Sequence, residues 1–274
     1  MLELICETEQ SLKEFTDNNY AQGSFFWTYL LKNKDVKVNG KKTDKDILLQ
    51  PGDIVRYYLT PKQEGKAAFY VVYEDENILI ADKESGVNSE AVYAALVRLY
   101  GNECRFIHRL DRNTQGLIAF ARNNEAGIEL LEAFKRRSAE KIYHAVCFGK
   151  FRQDNATLQA YLKKDETKAL VRVYDTPMPD SEKIITEYKV QRTQENLSKV
   201  EITLHTGKTH QIRAHLAHIG CPVAGDMKYG NALENKARNL SRQCLVAKYL
   251  TFEFDGKLQY LSGKRFCSRF EAEF

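Results

Sequence analysis

The stretch IHRLDRNTQGLIAFAR, residues 107–122, poses the central question of this chain. Its second half is an apolar run, Gly116–Arg122, that reads as a buried strand. Its first half places one carboxylate, Asp111, between Arg109 and Arg112 on the loop leading into that strand. A carboxylate near a core has its pKa raised unless a cation or hydrogen bonds compensate. A nucleophilic carboxylate therefore needs a fixed cation beside it. Arg109, two residues away, would share the side of Asp111 on an extended loop, or point outward to a ligand. Arg213 is a second candidate partner. On spacing alone, a structural Arg–Asp pair fits as well as catalysis.

Outward from this stretch, strands lie next to strands as often as next to helices. FYVVYEDENILIADK (69–83) reads as two strands about a turn at Glu74–Asn77. SEAVYAALVRLYG (89–101) reads as a helix with Ser89 as N-cap and Gly101 past its end. NNEAGIELLEAFKRR (123–137) reads as an amphipathic helix facing the core with Ile128, Leu131 and Phe134. KIYHAVCFGK (141–150), a hairpin over 185–207 and LVAKYLTFEF (245–254) are strands. THQIRAHLAHIG (209–220) is a short helix capped by Thr209, with Ile212, Leu216 and Ile219 on one face and Gly220 as its stop. The expected class is α+β, with a long mixed, mainly antiparallel sheet flanked by helices.

Residues 1–60 form a separate unit, 61–69 a linker, and 70–274 the main domain. In the first unit FFWTYLLKN (25–33) has helical spacing, with Phe26, Tyr29 and Leu30 on one face. DVKVNGKK turns at Asn39-Gly40, a hairpin signal, and LLQPGDIVRYYL turns at Pro51-Gly52. The linker carries Pro61 and Gly65 and no apolar periodicity. Net charge is +4, but its distribution is uneven: residues 32–45 carry six Lys against two Asp, and residues 205–248 seven Lys/Arg against two acids. Such basic stretches suit a polyanion, although solvated lysine surface would look the same.

Several chemistries are excluded or disfavoured. Neither a P-loop nor a dinucleotide fingerprint occurs, so no nucleotide cofactor is expected. HRLD interrupts the kinase HRD loop with Leu110, and no G-x-S-x-G elbow occurs. No apolar run is long enough to span a bilayer, and the first residues, MLELICETEQ, do not resemble a signal peptide. The six cysteines are scattered, which fits reduced thiols and a cytoplasmic location. His205, His210, His215 and His218 cluster, but without Cys or carboxylate among them and with poor spacing. They read as hydrogen-bonded packing or ligand-facing residues, and no metal is expected.

Three motifs in order, HRLDRNTQGLIAFAR, KIYHAVCFG and LHTGKTHQIRAHLAHIGCPVAGDMKYG, resemble the RluA-type pseudouridine synthases, as does VVYEDENILIADKESGV upstream. The likeness spans roughly residues 69–254. LLKNKDVKVNGKK followed by PGDIV resembles the S-four-like RNA-binding module that many members carry. The resemblance implies isomerisation of uridine to pseudouridine in ribosomal or transfer RNA, without a cofactor. It implies that Asp111 is the nucleophile, that Tyr143 lies against the uracil, that Arg213 pairs with Asp111, and that Arg109 helps displace the base. Attack would fall on the anomeric carbon or on C6 of the ring. Lys208 and the helix start at Thr209 would bind RNA, and Lys32, Lys34, Lys37, Lys41 and Lys42 would meet its phosphates. A monomer is expected.

The sequence departs from that family's pattern at Glu84, at Gln115 and at Val246. Glu84 predicts a looser loop after Lys83. Arg112 has no assigned role. Two other readings compete: a non-catalytic RNA-binding protein on the same scaffold, and a hydrolase that cleaves the glycosidic bond.

Overall fold

The computed structural model describes residues 1–165 and 170–273. The N-terminal unit opens with β1 (Leu2–Ile5), β2 (Gln10–Ser11) and three helices, α1 (Leu12–Asn19), α2 (Ala21–Phe25) and α3 (Trp27–Asn33). Strands β3 (Val36–Val38), β4 (Lys41–Lys42), β5 (Leu48–Leu49) and β6 (Ile54–Tyr57) follow. A sheet of order β1-β6-β3-β4 packs one face on α1 through Val36, Val38, Val55 and Tyr57. Alternation then sends Lys37 and Arg56 to the other face. Ser11 caps α1 by accepting from the Glu14 amide. The α3 segment departs from expectation: the helix starts at Trp27, Leu30 is buried, and Tyr29 is exposed.

The segment read as a linker is partly helical. Pro61–Glu64 forms α4, held by a capping box between Thr60 and Gln63. Its exit is also fixed, since Gln22 donates to the Lys66 carbonyl.

The second unit is built on an 11-stranded sheet. Its elements are β7 (Phe69–Glu74), β8 (Ile78–Lys83), α5 (Ser89–Tyr100), β9 (Arg105–Phe106), β10 (Gln115–Ala121) and α6 (Asn124–Arg136). There follow β11 (Ala139–Phe148), β12 (Asn155–Asp165), β13 (Leu170–Tyr174), β14 (Glu182–Gln194), β15 (Leu197–Leu204), α7 (Gln211–His218), α8 (Ala232–Ala237), β16 (Leu245–Phe252) and β17 (Arg265–Cys267). The main path runs β13-β12-β14-β15-β11-β16-β10-β8-β7, with β9 beside β10 and β17 beside β16. Neighbours are antiparallel except β10 and β16, so the sheet is mixed and mainly antiparallel. Among the described residues no helix is long and apolar enough to cross a membrane.

The parallel contact is short and close. Gly116 stands opposite Ala247 at φ +113°, and a Cβ there would lie 2.3 Å from the Ala247 carbonyl oxygen. Only glycine admits this approach, which brings the loop bearing Asp111 beside β16.

Three helical details differ from the sequence reading. In α6 the buried residues are Ala126, Gly127, Leu130 and Ala133, while Ile128 and Leu131 are exposed. Small residues let this helix lie close to the sheet, and a Cβ on Gly127 would already press within 3.3 Å of Arg105. Asn88, not Ser89, is the N-cap of α5. His210, not Thr209, precedes α7, at φ +54°. Ile212 and Leu216 are buried as expected, and Gly220 takes the positive φ of a helix stop.

Candidate active site

The loop at residues 110–114 is fixed by its backbone. Ser89 Oγ accepts from the Leu110 amide and donates to the Leu110 carbonyl, both at 3.0 Å. Serving Leu110 in this way is why Ser89 does not cap its own helix. The Thr114 amide donates to the Asp111 carbonyl at 3.0 Å. The Arg112 carbonyl accepts from the Gly86 amide at 2.9 Å and from Lys83 Nζ at 3.1 Å.

Lys83 is wholly buried, and its Nζ donates to three backbone carbonyls, those of Glu84, Val87 and Arg112. Burial pushes its pKa down from 10.5 to about 7. The loop after Lys83 is thus anchored at several points, against the looser loop expected from Glu84. Glu84 also meets the other departure from the family pattern, accepting from Gln115 Nε2 at 3.3 Å.

Asp111 opens onto a cleft of about 460 Å³. Its floor includes Leu110, Leu204, Ile212 and Leu245, and its walls carry Tyr143, Phe134 and Lys141. Five Lys/Arg (Arg109, Arg112, Lys141, Lys208, Arg213) and one acid, Asp111, line it among the described residues. That balance suits a polyanion around a single acidic group.

The distant cation is the one Asp111 meets. Arg213, in the first turn of α7, donates from Nη1 to Asp111 Oδ2 at 2.8 Å. Its Nε and Nη2 donate to the two oxygens of Asp226 at 2.7 and 2.9 Å. Asp226 is fully enclosed and also accepts from the amides of Lys228 and Tyr229. Burial opposes the charge on Arg213, but the hydrogen bonds and charges of Asp226, then Asp111, outweigh it and raise its pKa. Burial likewise raises Asp226, and Arg213 with the two amides more than reverses this, leaving its pKa low. The guanidinium is a fixed, permanently charged bridge between two carboxylates.

Asp226 was not singled out from sequence. Its signal is faint: one of only two acids in the basic stretch 205–248, directly after Gly225. Gly225 has φ +73°, and a Cβ there would lie 1.7 Å from the Arg242 carbonyl oxygen. The glycine lets the chain turn under Arg242 and point Asp226 at Arg213.

Tyr143 sits on β11 where pairing with β16 shifts register, with Lys248 as the extra residue. Such a bulge re-aims neighbouring side chains. Tyr143 is 8% exposed and faces the cleft. Burial, then the nearby Asp111 charge, raises the pKa of its phenol. An aromatic wall beside a pinned carboxylate can hold a flat base against an acid.

Arg109 is separate from this network. Its side chain is 67% exposed and its Nη1 lies 3.0 Å from Glu90. Lys208 pairs with Glu182 at 2.5 Å, and Thr209 is exposed in the turn before α7. His210 lies 4.0 Å from Asp111 and 2.9 Å from the Tyr229 hydroxyl. Burial lowers its pKa, the Asp111 charge opposing and Arg213 reinforcing that shift. The other clustered histidines have separate partners: Glu187 for His205, Thr186 for His215 and Asp175 for His218. Among the described residues no three His, Cys, Asp or Glu side chains are grouped to hold a metal ion.

The basic residues of the N-terminal unit form a different surface. Across its sheet Arg56 stands opposite Lys37, and Lys37 opposite Lys42. Lys32, Lys34, Lys41 and Lys42 are exposed; Lys34 pairs with Asp44 at 3.2 Å, and Lys37 lies over the Tyr58 ring at 5.0 Å.

Comparison with known proteins gives the family of the chain. The RNA pseudouridylate synthase family model matches residues 29–218, which hold Asp111, Tyr143 and Arg213 but not Asp226. A ribosomal large subunit pseudouridine synthase C from Rickettsia bellii is 31% identical over 229 residues, covering 73% of this chain and 76% of the relative. An uncharacterized RNA pseudouridine synthase of Bacillus subtilis is 30% identical over 240 residues, covering 79% and 76%. Among solved structures, human RNA pseudouridylate synthase domain containing 1 aligns with a TM-score of 0.61 at 26% identity, covering 68% of this chain and 79% of that one. With the matched model covering more than half its length, this chain belongs to the RNA pseudouridylate synthase family and isomerises uridine to pseudouridine in RNA.

Proposed function

We propose that Asp111 is the nucleophile of this isomerase and that its target is a uridine in a structured ribosomal or transfer RNA. The observation that carries this is the Asp111 carboxylate held 2.8 Å from Arg213, in a cleft whose wall is Tyr143. The names of relatives such as that of Rickettsia bellii favour large-subunit ribosomal RNA as the substrate.

The target base must leave its stack, at a cost of a few kcal/mol. Arg109, exposed at the mouth of the cleft, fills the vacated space with its flat guanidinium. The base enters against Tyr143, a contact worth ~1–3 kcal/mol. Asp111 attacks the anomeric carbon or C6, and the bond from N1 to the sugar breaks. The base turns, C5 bonds to the sugar, the bond to Asp111 breaks and returns its carboxylate, the C5 proton leaves, and N1 takes up a proton. Arg213 keeps the attacking oxygen aimed throughout, and Asp226 keeps Arg213 in place. No group is gained or lost, so the chemistry calls for no cofactor.

The N-terminal unit serves as an S-four-like RNA-binding module. The adjacent cations Arg56, Lys37 and Lys42, with Lys32, Lys34 and Lys41 around them, meet phosphates. Lys208 and Thr209 meet the backbone at the rim of the cleft. The free thiols support a cytoplasmic location.

The test is to map pseudouridines across total RNA from cells lacking the protein, then from cells given the wild type or Asp111→Ala. The wild type is expected to restore at least one site, and Asp111→Ala none. Restoration by Asp111→Ala would remove the nucleophile assignment. Free uracil in place of the isomer would point to hydrolysis.

A further inference from the structure

Arg112 links the two units. Its backbone lies in the catalytic loop directly after Asp111, but its guanidinium reaches Asp17 on α1 of the N-terminal unit. The same side chain donates from Nε to the Gly86 carbonyl at 3.2 Å. Asp17 is 8% exposed and also accepts from Ser24 Oγ at 2.7 Å and from Lys13. Two further bonds cross the same boundary: Asn88 Nδ2 to Asn18 Oδ1 at 3.0 Å, and Arg98 to the Asn19 carbonyl at 3.3 Å. Ala21 and Phe25 of α2 join the hydrophobic cluster of the large sheet.

The local needs of each partner are met without the link. The loop at Arg112 is held at its carbonyl by the Gly86 amide and by Lys83 Nζ, so its guanidinium is not required to fix Asp111. Asp17 has Ser24 and Lys13 within its own unit. What the pair adds is the register of one unit against the other. The charges are partly shielded, with Asp17 at 12% and Arg112 at 36% side-chain exposure, so their attraction is weakly screened by salt.

We propose that Asp17 and Arg112 are positioning residues that set the N-terminal RNA-binding unit at a fixed distance from the nucleophile. RNA held by the module then presents its uridine at the cleft, and the enzyme measures from one contact to the other. This rests on the proposed reading of both Asp111 and the module.

The test compares two RNAs: the full-length RNA whose uridine the mapping identifies, and an excised stem-loop of the same uridine too short to reach the module. In the full chain, Asp17→Asn keeps the Ser24 contact and removes the charge. It is expected to raise KM for the full-length RNA about tenfold with kcat held, the loss of roughly one part-buried ion pair. Kinetics on the stem-loop should match the wild type. Asp17→Asn with Arg112→Gln should be no worse than Arg112→Gln alone, as for residues acting through one bond. Hydrogen exchange should quicken in α1 and residues 84–88 while β1–β6 and the large sheet hold. Equal losses on both RNAs, or wild-type KM on the full-length RNA, would overturn the proposal. So would additive losses in the double variant. If Asp111→Asn stays active, the nucleophile reading fails, but the KM and exchange comparison still decides the coupling.

Discussion

The lysine face of the N-terminal unit and the cleft around Asp111 are both dense in charge, and they are built on opposite plans. On the first, Lys37 and Lys42 stand side by side across neighbouring strands, like beside like, with Arg56 next to Lys37 and held on its other side by Glu3. Cross-strand neighbours of one sign repel, so the arrangement gains when an anion arrives. At the cleft, Asp111, Arg213 and the enclosed Asp226 behind it alternate in sign and bond one another at 2.7–2.9 Å. On the proposed reading RNA phosphates complete the first surface. The second is complete except for one acidic oxygen facing the cavity. On the proposed roles affinity and chemistry are thereby separated, and substitutions should separate them too.

The largest effect is expected at Asp111, where losing the carboxylate should end turnover and leave RNA binding intact. Next is Asp226→Asn. It deprives Arg213 of its bidentate partner and the Lys228 and Tyr229 amides of a charged acceptor. A cost of about 3 kcal/mol in positioning, on the scale of a broken buried pair, corresponds to roughly a hundredfold loss in kcat. Single-turnover rates would show it, with KM little changed. A loss of similar size in RNA affinity would break the separation.

Lys83→Met should take a donor from three carbonyls, of which that of Arg112 keeps the Gly86 amide, and cost about 2–4 kcal/mol of stability by denaturant unfolding. The wild type carries a pH signature here. Burial holds the pKa of Lys83 near 7 against an ordinary 10.5, so between those values the unfolded chain binds more protons than the folded one. This residue's contribution to stability therefore rises with pH from about 7 toward 10.5, and Lys83→Met should lack that rise.

The smallest effects belong to the lysine face. Lys37→Gln or Lys42→Gln should weaken RNA binding a few-fold and reduce the slope of log affinity against log salt by about 1 each. Turnover at saturating RNA should be unchanged. A fall in kcat from either would show that the two regions are not separate.

What the sequence revealed follows the reach of each interaction. The strand after Asp111 was legible because its apolar run is local, whereas the close approach of Gly116 to β16 depends on a strand far along the chain and is seen only in the fold. The turn at Glu74–Asn77 was legible too, since Asp75 closes it by accepting from the amides of Asn77 and Ile78. Where tertiary contacts overrode local pattern, the reading slipped. In α6 Ile128 and Leu131 were expected inside, but the face turned to the sheet carries Leu130 among the small residues Ala126, Gly127 and Ala133. Ser89 looked like a cap because caps are local, yet its hydroxyl serves Leu110, 21 residues on. Thr209 lost the cap position because His210 turns left-handed before α7.

The candidate site divides in the same way. The motifs carried Asp111, Tyr143 and Arg213 into one cleft, and the Asp111–Arg213 contact spans 102 residues. Asp226 and the role of Arg112 did not emerge, since each is defined by a partner that no periodicity points to. Asp226 needs the turn at Gly225, and Arg112 needs the docking of α1.

The most direct test of the central claim is single-turnover conversion of the mapped RNA by Asp111→Asn, with enzyme in excess and RNA retention on a filter measured in parallel. The account predicts wild-type retention and no pseudouridine above the enzyme-free control. Pseudouridine formed at the wild-type rate by this variant would contradict it.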